Sequence, residues 1–253
     1  LDVQTIQVED KIFEAKSVVI ATGSSPKLMP MFDGLGERLV VNDDIFDWET
    51  LPESVAVFGP GVIGLELGQA LHRLGVRIRI FGLSGSLKPL SDMGIKSYAE
   101  NLFKDEFPLD TKAKIQGLEL ENGQVKISFV DPNNGEEKEE LFDFLLAATG
   151  RSPNVNDLGL ENTELELDSL GVPLYNSATM QCGNSSIFIA GDVNNDLPLL
   201  HEAADEGQIA GDNAGRFPDI KVGLRRSPVT VVFCDPQIAI VGDSWSELEG
   251  NEN

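Results

Sequence analysis

Three glycines at fixed spacing carry the clearest chemistry in the sequence: Gly59-x-Gly61-x-x-Gly64 follows the apolar run Val55-Ala56-Val57-Phe58 and opens a periodic apolar segment that ends at Gly75. A strand must turn sharply at Gly59. The backbone at Gly61 must come close to a ligand with no Cβ in the way, and Gly64 must let a helix lie against the sheet. The free N–H groups that open such a helix stand at the positive end of its dipole, so this turn can hold a pyrophosphate. A Gly-rich helix start without any ligand has the same pattern. The second alternating run, Val76 to Gly82, completes a strand, turn, helix, strand sequence and favours the dinucleotide reading. An acid that accepts from a ribose hydroxyl is expected at the end of that second strand. Gly82 stands there and Lys88 is the first cation beyond it, which leaves NAD and NADP both open.

A second group of candidates lies at the ends of other apolar runs. Ala21-Thr22-Gly23-Ser24-Ser25-Pro26 ends a run expected to be a buried parallel strand, Ser17 to Ala21, and Ala148-Thr149-Gly150-Arg151-Ser152-Pro153-Asn154 ends another, Phe144 to Ala148. One Ala-Thr-Gly is an ordinary strand-to-loop turn. Two with the same continuation are expected to mark where the chain leaves one nucleotide domain and later re-enters it. Ile187-Phe188-Ile189-Ala190-Gly191-Asp192 is a third such strand, followed by a helical pattern from Leu199 to Ala214. Asp192 is placed either to cap a helix or to accept a hydrogen bond from a sugar hydroxyl.

The elements that must position these residues are legible around them. Residues 3 to 8 alternate and, with a turn at Glu9-Asp10, read as a hairpin with Lys11 to Glu14. Residues 27 to 54 read as a connecting segment in which Phe46, Trp48 and Leu51 pack. Ser91-Asp92 caps a helix to about Glu106, with Ile95, Ala99, Leu102 and Phe103 on one side. Leu109 to Ile115 reads as a strand, and an antiparallel meander with turns at Asn122-Gly123 and Asn133 to Gly135 is inserted before Phe144.

Composition bounds the class. A chain of 253 residues that is 41% hydrophobic is long enough for one large or two medium domains. Its 42 acidic against 19 basic residues give a net charge of −23, which repels nucleic acid and anionic membranes and reads as a solubilising surface. Cys182 and Cys234 are too few and too far apart for a disulfide framework or metal cluster, which fits a reducing, cytoplasmic setting. No run approaches the roughly 18 apolar residues of a membrane span. Both ends read as cut: Leu1 is no starter Met, and the chain stops soon after a strand-like run.

Taken together with Leu200-His201-Glu202-Ala203 and the run Val231 to Gly242, these motifs resemble, in order and spacing, the flavin- and nicotinamide-dependent disulfide oxidoreductases, most closely dihydrolipoamide dehydrogenase-like proteins. The resemblance covers nearly the whole chain. It implies an α/β fold of FAD/NAD(P)-binding Rossmann-like domains, the nicotinamide domain inserted in a partial FAD domain. Residues 1–52 would end the first FAD segment and its linker, 53–148 would form the nicotinamide domain, 149–228 the returning FAD segment, and 229–253 the start of an interface domain. It implies that Gly59, Gly61 and Gly64 hold the pyrophosphate of NAD or NADP, with Val62 and Ile63 beside them and Val62 at the lid over the flavin. Glu66 would lie near the nicotinamide carboxamide, and Ala113, Gly150 and Arg151 would flank the same cofactor. Gly23 and Asp192 would contact FAD, and the helix opening at Leu200-His201 would aim its N-terminus at the flavin's pyrimidine edge. The parent would be a homodimer acting on a small-molecule or lipoyl-type disulfide.

The departures are as specific. The family's N-terminal G-x-G-x-x-G, its redox cysteine pair and the His and Glu of its interface domain have no counterpart in these 253 residues. The sequence is therefore read as an internal fragment, inactive alone and without an assigned catalytic residue. His72 is read as a packing or surface residue and His201 as a positioning one. A flavin transhydrogenase-type relative without disulfide chemistry and a non-catalytic nicotinamide-binding module remain as alternatives.

Overall fold

A computed structural model describes residues 5–245 and Leu248. Val3 and Gln4, the expected start of the first hairpin strand, lie outside the described residues. The chain forms two compact units, Leu1–Ser25 with Arg151–Pro228, and Pro26–Gly150 with Val229–Asn253. Two of the three crossings, Ser25 to Pro26 and Gly150 to Arg151, fall within the paired Ala-Thr-Gly segments, and the third is Pro228 to Val229.

The interior unit is built on a five-stranded parallel sheet in the spatial order Leu39–Val40, Phe144–Ala147, Ser54–Phe58, Arg77–Phe81, Leu109–Asp110. Ser54–Phe58 is buried at every position, as a central strand covered on both faces must be. Its side chains alternate: Val55 and Val57 enter one core with Leu65, Leu71, Ile80 and Phe103, and Ala56 and Phe58 enter the other. Helices α1 (Val62–Arg73) and α2 (Met93–Glu106) supply the first core. The antiparallel meander supplies the second through Val125, Ile127, Phe129 and Phe142. Its first hairpin pairs Glu121 with Gln124 across Asn122-Gly123, both at positive φ, the geometry a two-residue hairpin turn favours.

Several expectations change here. Residues 27–54 are not a mere connection: Phe32 and Leu35 are almost fully buried in the second core, Phe32 edge-on to Phe58, and Leu39–Val40 is a strand of the sheet. Phe46 is exposed at 77% instead of packing. The expected Leu109 to Ile115 strand is two elements, because the chain turns at Thr111 to Ala113 to leave the parallel sheet and enter the meander at Lys114. Asp92 does cap α2, its Oδ1 accepting from Ile95 N at 2.7 Å, but Ile95 is exposed and only Ala99 and Phe103 are buried on that helix. The hairpin Val229–Val232 with Ile238–Val241 buries Val232, Cys234 and Ile238 in the α1 core.

The outer unit carries a four-stranded sheet in the order Tyr175–Asn176, Gln181–Cys182, Ile187–Ile189, Val18–Ile20, parallel only at its last pairing. Helix α3 (Leu200–Arg216) packs Ile209 and Ala210 on Met180 and Phe188. The expected buried strand at Ser17 to Ala21 is shorter, Val18–Ile20, and only Ile20 is buried. The hairpin Thr5–Val8 with Lys11–Glu14 pairs in the expected register around Glu9-Asp10.

Candidate functional site

In the interior unit the three glycines have distinct surroundings. Gly59 has φ +110°, and a Cβ there would fall 2.2 Å from Ala148 O. A Cβ on Gly64 would fall 1.9 Å from Gly59 O, so α1 sits on the turn only because that position is bare. Gly61 differs: it is the N-cap of α1, its φ of −97° suits any residue, and a Cβ would meet nothing within 4 Å. No side chain caps α1, so its first N–H groups face outward next to an open space. That arrangement can receive an anion.

Val62 and Ile63 are half-buried in the first turn of α1. Glu66, one turn on, is engaged with the hairpin: Phe233 N donates to its Oε1 at 2.8 Å. Gln69 fixes the same hairpin, accepting from Asp235 N at 2.7 Å and donating to Asp235 O at 2.8 Å. Ala113 is buried, its N donating to Gly82 O at 2.7 Å, so it lies beside the end of the Arg77–Phe81 strand. Gly150 has φ +104° and accepts from Lys27 N at 2.9 Å. His72 packs edge-on to Phe107 as expected of a packing residue.

Arg151 belongs to the outer unit. Its Nε donates to Ser24 Oγ at 2.7 Å, its Nη2 donates to Ser24 O at 2.6 Å, and its Nε lies 3.9 Å from Asp192 Oδ2. Asp192 Oδ2 accepts from Ser24 Oγ at 3.0 Å. Gly23, at φ +69°, accepts from Asn154 N at 2.9 Å. Asn154 ties the two echoing segments further, donating from Nδ2 to Thr22 O and accepting from Ser25 Oγ. Gly23, Asp192 and Arg151 thus share one bonded cluster. Leu200 is 89% exposed and His201 half-exposed at the start of α3, which also has no side-chain cap.

Sequence reading missed a buried carboxylate that fixes the Gly191–Asn194 turn around Asp192. Glu206, 1% exposed, accepts from Gly191 N at 2.8 Å and Asn194 Nδ2 at 2.7 Å through Oε2, and from Arg225 Nη2 at 3.0 Å through Oε1. Arg225 also donates to Glu202 Oε2 at 2.8 Å. Burial pushes the Glu206 carboxyl above its ordinary range, and the three donors oppose that shift. The only signal in the sequence is acids four apart on a helix, which more often mark a solvated face.

Among the described residues no helix is long and apolar enough to cross a membrane. Residues 1–207 match the family model described as pyridine nucleotide-disulphide oxidoreductase. The dihydrolipoyl dehydrogenase of Chlamydia pneumoniae is 30% identical over 98% of this chain and 52% of its own length. The mercuric reductase of Staphylococcus aureus is 34% identical over 96% and 44%. Among solved structures, LpdA of Mycobacterium tuberculosis superposes with a TM-score of 0.78 at 27% identity, covering 97% of this chain and 53% of that one. The HOCl-induced flavoprotein disulfide reductase RclA of Escherichia coli, at 19% identity and a TM-score of 0.81, covers 99% and 57% and shows the shared fold. The chain spans about half the length of the curated relatives it matches.

Proposed function

The chain belongs to the pyridine nucleotide-disulphide oxidoreductase family, and from that premise we propose that it supplies the nicotinamide unit and part of the flavin unit of an FAD-dependent enzyme. That enzyme moves hydride between NAD(P)H and FAD, and electrons to or from a disulfide, as dihydrolipoamide dehydrogenases do. The Gly59 to Gly64 turn carries the reading. Two of its glycines are required by contacts at 2.2 and 1.9 Å, and the third leaves an open approach to uncapped helix N–H groups.

The residues present fit the two cofactors. Gly61 and the first turn of α1 at Val62 and Ile63 would receive the nicotinamide cofactor's pyrophosphate, with Ala113 and Gly150 beside it. Glu66 would keep one carboxylate oxygen for the carboxamide while the other accepts from Phe233 N. Gly23 and Asp192 would face FAD, with Arg151 and Ser24 orienting the Asp192 carboxylate, and Leu200 and His201 would open α3 toward the flavin. When bound, FAD supplies the two-electron chemistry. On this reading residues 1–25 and 151–228 belong to the flavin domain, 26–150 to the nicotinamide domain, and 229–253 begin an interface domain. The acceptor is a small-molecule or lipoyl-type disulfide, the parent a cytoplasmic homodimer.

The two cysteines are unsuited to be the redox pair. Cys182 and Cys234 are buried in different units, burial pushes the Cys182 thiol up to about 12, and it raises Cys234 as well. The purified 253-residue chain is therefore expected to quench and bind a nicotinamide dinucleotide yet to reduce neither lipoamide nor glutathione disulfide with added FAD and NAD(P)H. Turnover of either disulfide would refute this reading.

A further inference from the structure

The geometry around Gly82 decides what can stand where a ribose-binding acid is expected. A Cβ on Gly82 would fall 2.7 Å from Pro60 Cγ, 2.8 Å from Pro60 Cδ and 2.9 Å from Thr111 O. The last is backbone and the Pro60 ring is stiff, so no rotamer change makes room. The position from which a carboxylate would accept the ribose hydroxyls is closed to any side chain. The loop that follows, from Leu83 to Lys88, contains no acid.

Two lysines reach that loop. Gly85 N donates to Thr111 O at 2.7 Å, and the next residue, Lys112, lays its stem across Gly85: a Cβ there would fall 2.3 Å from Lys112 Cε and 3.0 Å from its Cγ. Lys96, from α2, donates its Nζ to Gly85 O. Lys96 is thus spent on a carbonyl, whereas Lys112 is exposed. The hydroxyls of Ser84 and Ser86 lie 3.0 Å apart on the same loop. Both carboxylates that join this corner are engaged. Asp110 Oδ1 accepts from Lys112 N at 2.9 Å, and Glu100 Oε1 accepts from Lys104 Nζ at 2.7 Å and Thr111 Oγ1 at 3.0 Å.

We propose that the interior unit takes the 2′-phosphorylated nicotinamide dinucleotide in preference to the unphosphorylated one. Lys112 is the specificity-determining cation, and Pro60 excludes the competing acid. The proposal rests on the nicotinamide-site reading above. A phosphate monoester gains a charge-assisted hydrogen bond from an ammonium, and a carboxylate in place of Gly82 would repel it; a ribose diol has the opposite preference.

Isothermal titration of the 253-residue chain with NADP+ and with NAD+ tests this. NADP+ is expected to bind about tenfold tighter or more, the scale of one charge-assisted hydrogen bond. Lys112→Ala is expected to remove most of that ratio and Lys112→Arg to keep it, with 2′-AMP competing against NADP+ in the parent chain and not in Lys112→Ala. Tighter NAD+ binding by the parent chain, or a ratio unmoved in Lys112→Ala, overturns the proposal and leaves the nicotinamide site standing. Failure of both dinucleotides to bind overturns the nicotinamide-site reading and this inference with it.

Discussion

Gly64 and Gly61 sit three residues apart in one motif and do opposite work. At Gly64 an added methyl would meet Gly59 O at 1.9 Å, so Gly64→Ala must push α1, with its buried Leu65, away from the sheet strand that carries Val57. Overpacking of this kind costs about 1–3 kcal/mol, and the urea midpoint of the chain is expected to fall accordingly. Gly61→Ala adds its methyl to open space and changes only a cap, at under about 1 kcal/mol. The same unfolding curve should barely move while dinucleotide affinity is lost. A Gly61→Ala chain that bound as well as the parent would show that no ligand approaches this residue. The motif was readable from spacing alone, and so was the absence of an acid at Gly82. What closes that position was not readable, because Pro60 and Thr111 meet Gly82 only once three separate segments are packed. Glu206 escaped for the same reason: its partners Gly191, Asn194 and Arg225 lie 12 to 19 residues away in sequence, and no periodicity announces such a contact.

The central strand is anchored at its first residue by Asp143. Its Oδ2 accepts from Ser54 N at 2.9 Å and Ser54 Oγ at 3.2 Å, and its Oδ1 accepts from Gln124 Nε2 at 2.9 Å, so one carboxylate joins the parallel sheet to the meander. Partial burial tends to raise this carboxyl, yet its hydrogen bonds outweigh burial and hold it below its ordinary value of 3.8. A depressed folded value means that the contribution to stability is complete above the ordinary value and is lost as pH falls through the folded one. Asp143→Asn is therefore expected to cost about 1.5–3 kcal/mol at pH 7, the range for hydrogen bonds to a charged group. The gap between parent and variant should shrink below about pH 4. Denaturant melts at pH 7 and pH 3 check this, and a constant gap would refute it. At this scale the sequence was most legible where one signal dominated, as at the Asp92 cap, the Asn122-Gly123 hairpin and Ser54–Phe58. It misled where chain direction mattered: Leu109 to Ile115 is continuously strand-like, yet its first two residues pair with Arg77–Phe81 and its last two with the meander. Residues 27–54 were under-read because Phe32, Leu35 and Leu39–Val40 contribute as single anchors instead of a period.

Net charge acts on the molecule as a whole. With 42 acidic and 19 basic residues, several of the cations are already committed to ion pairs such as Arg73 with Glu106 and Asp235, Lys126 with Glu119 and Glu121, and Arg225 with Glu202 and Glu206. Acids exceed cations by 23, and the uncompensated carboxylates repel one another in the folded chain more than in the expanded one. Screening has two opposed effects: it weakens exposed pairs such as Arg73–Asp235, worth about 0–1 kcal/mol each, and it relieves repulsion summed over a net −23. Exposed pairs are individually weak, and the most buried one, Arg225 with Glu202 and Glu206, is shielded from salt by its surroundings. Repulsion should therefore dominate. Raising sodium chloride from 10 mM to 0.5 M shortens the screening length from about 30 Å to under about 10 Å. This is expected to raise the melting temperature by several degrees, since ~1 kcal/mol corresponds to about 2–4 °C for a chain of this size. Potassium chloride should do the same at equal ionic strength, because screening does not depend on which cation supplies it. A melting temperature that falls with salt would place the stability in the ion pairs instead, and one that rises with sodium alone would point to a bound ion and not to the charge of the whole molecule.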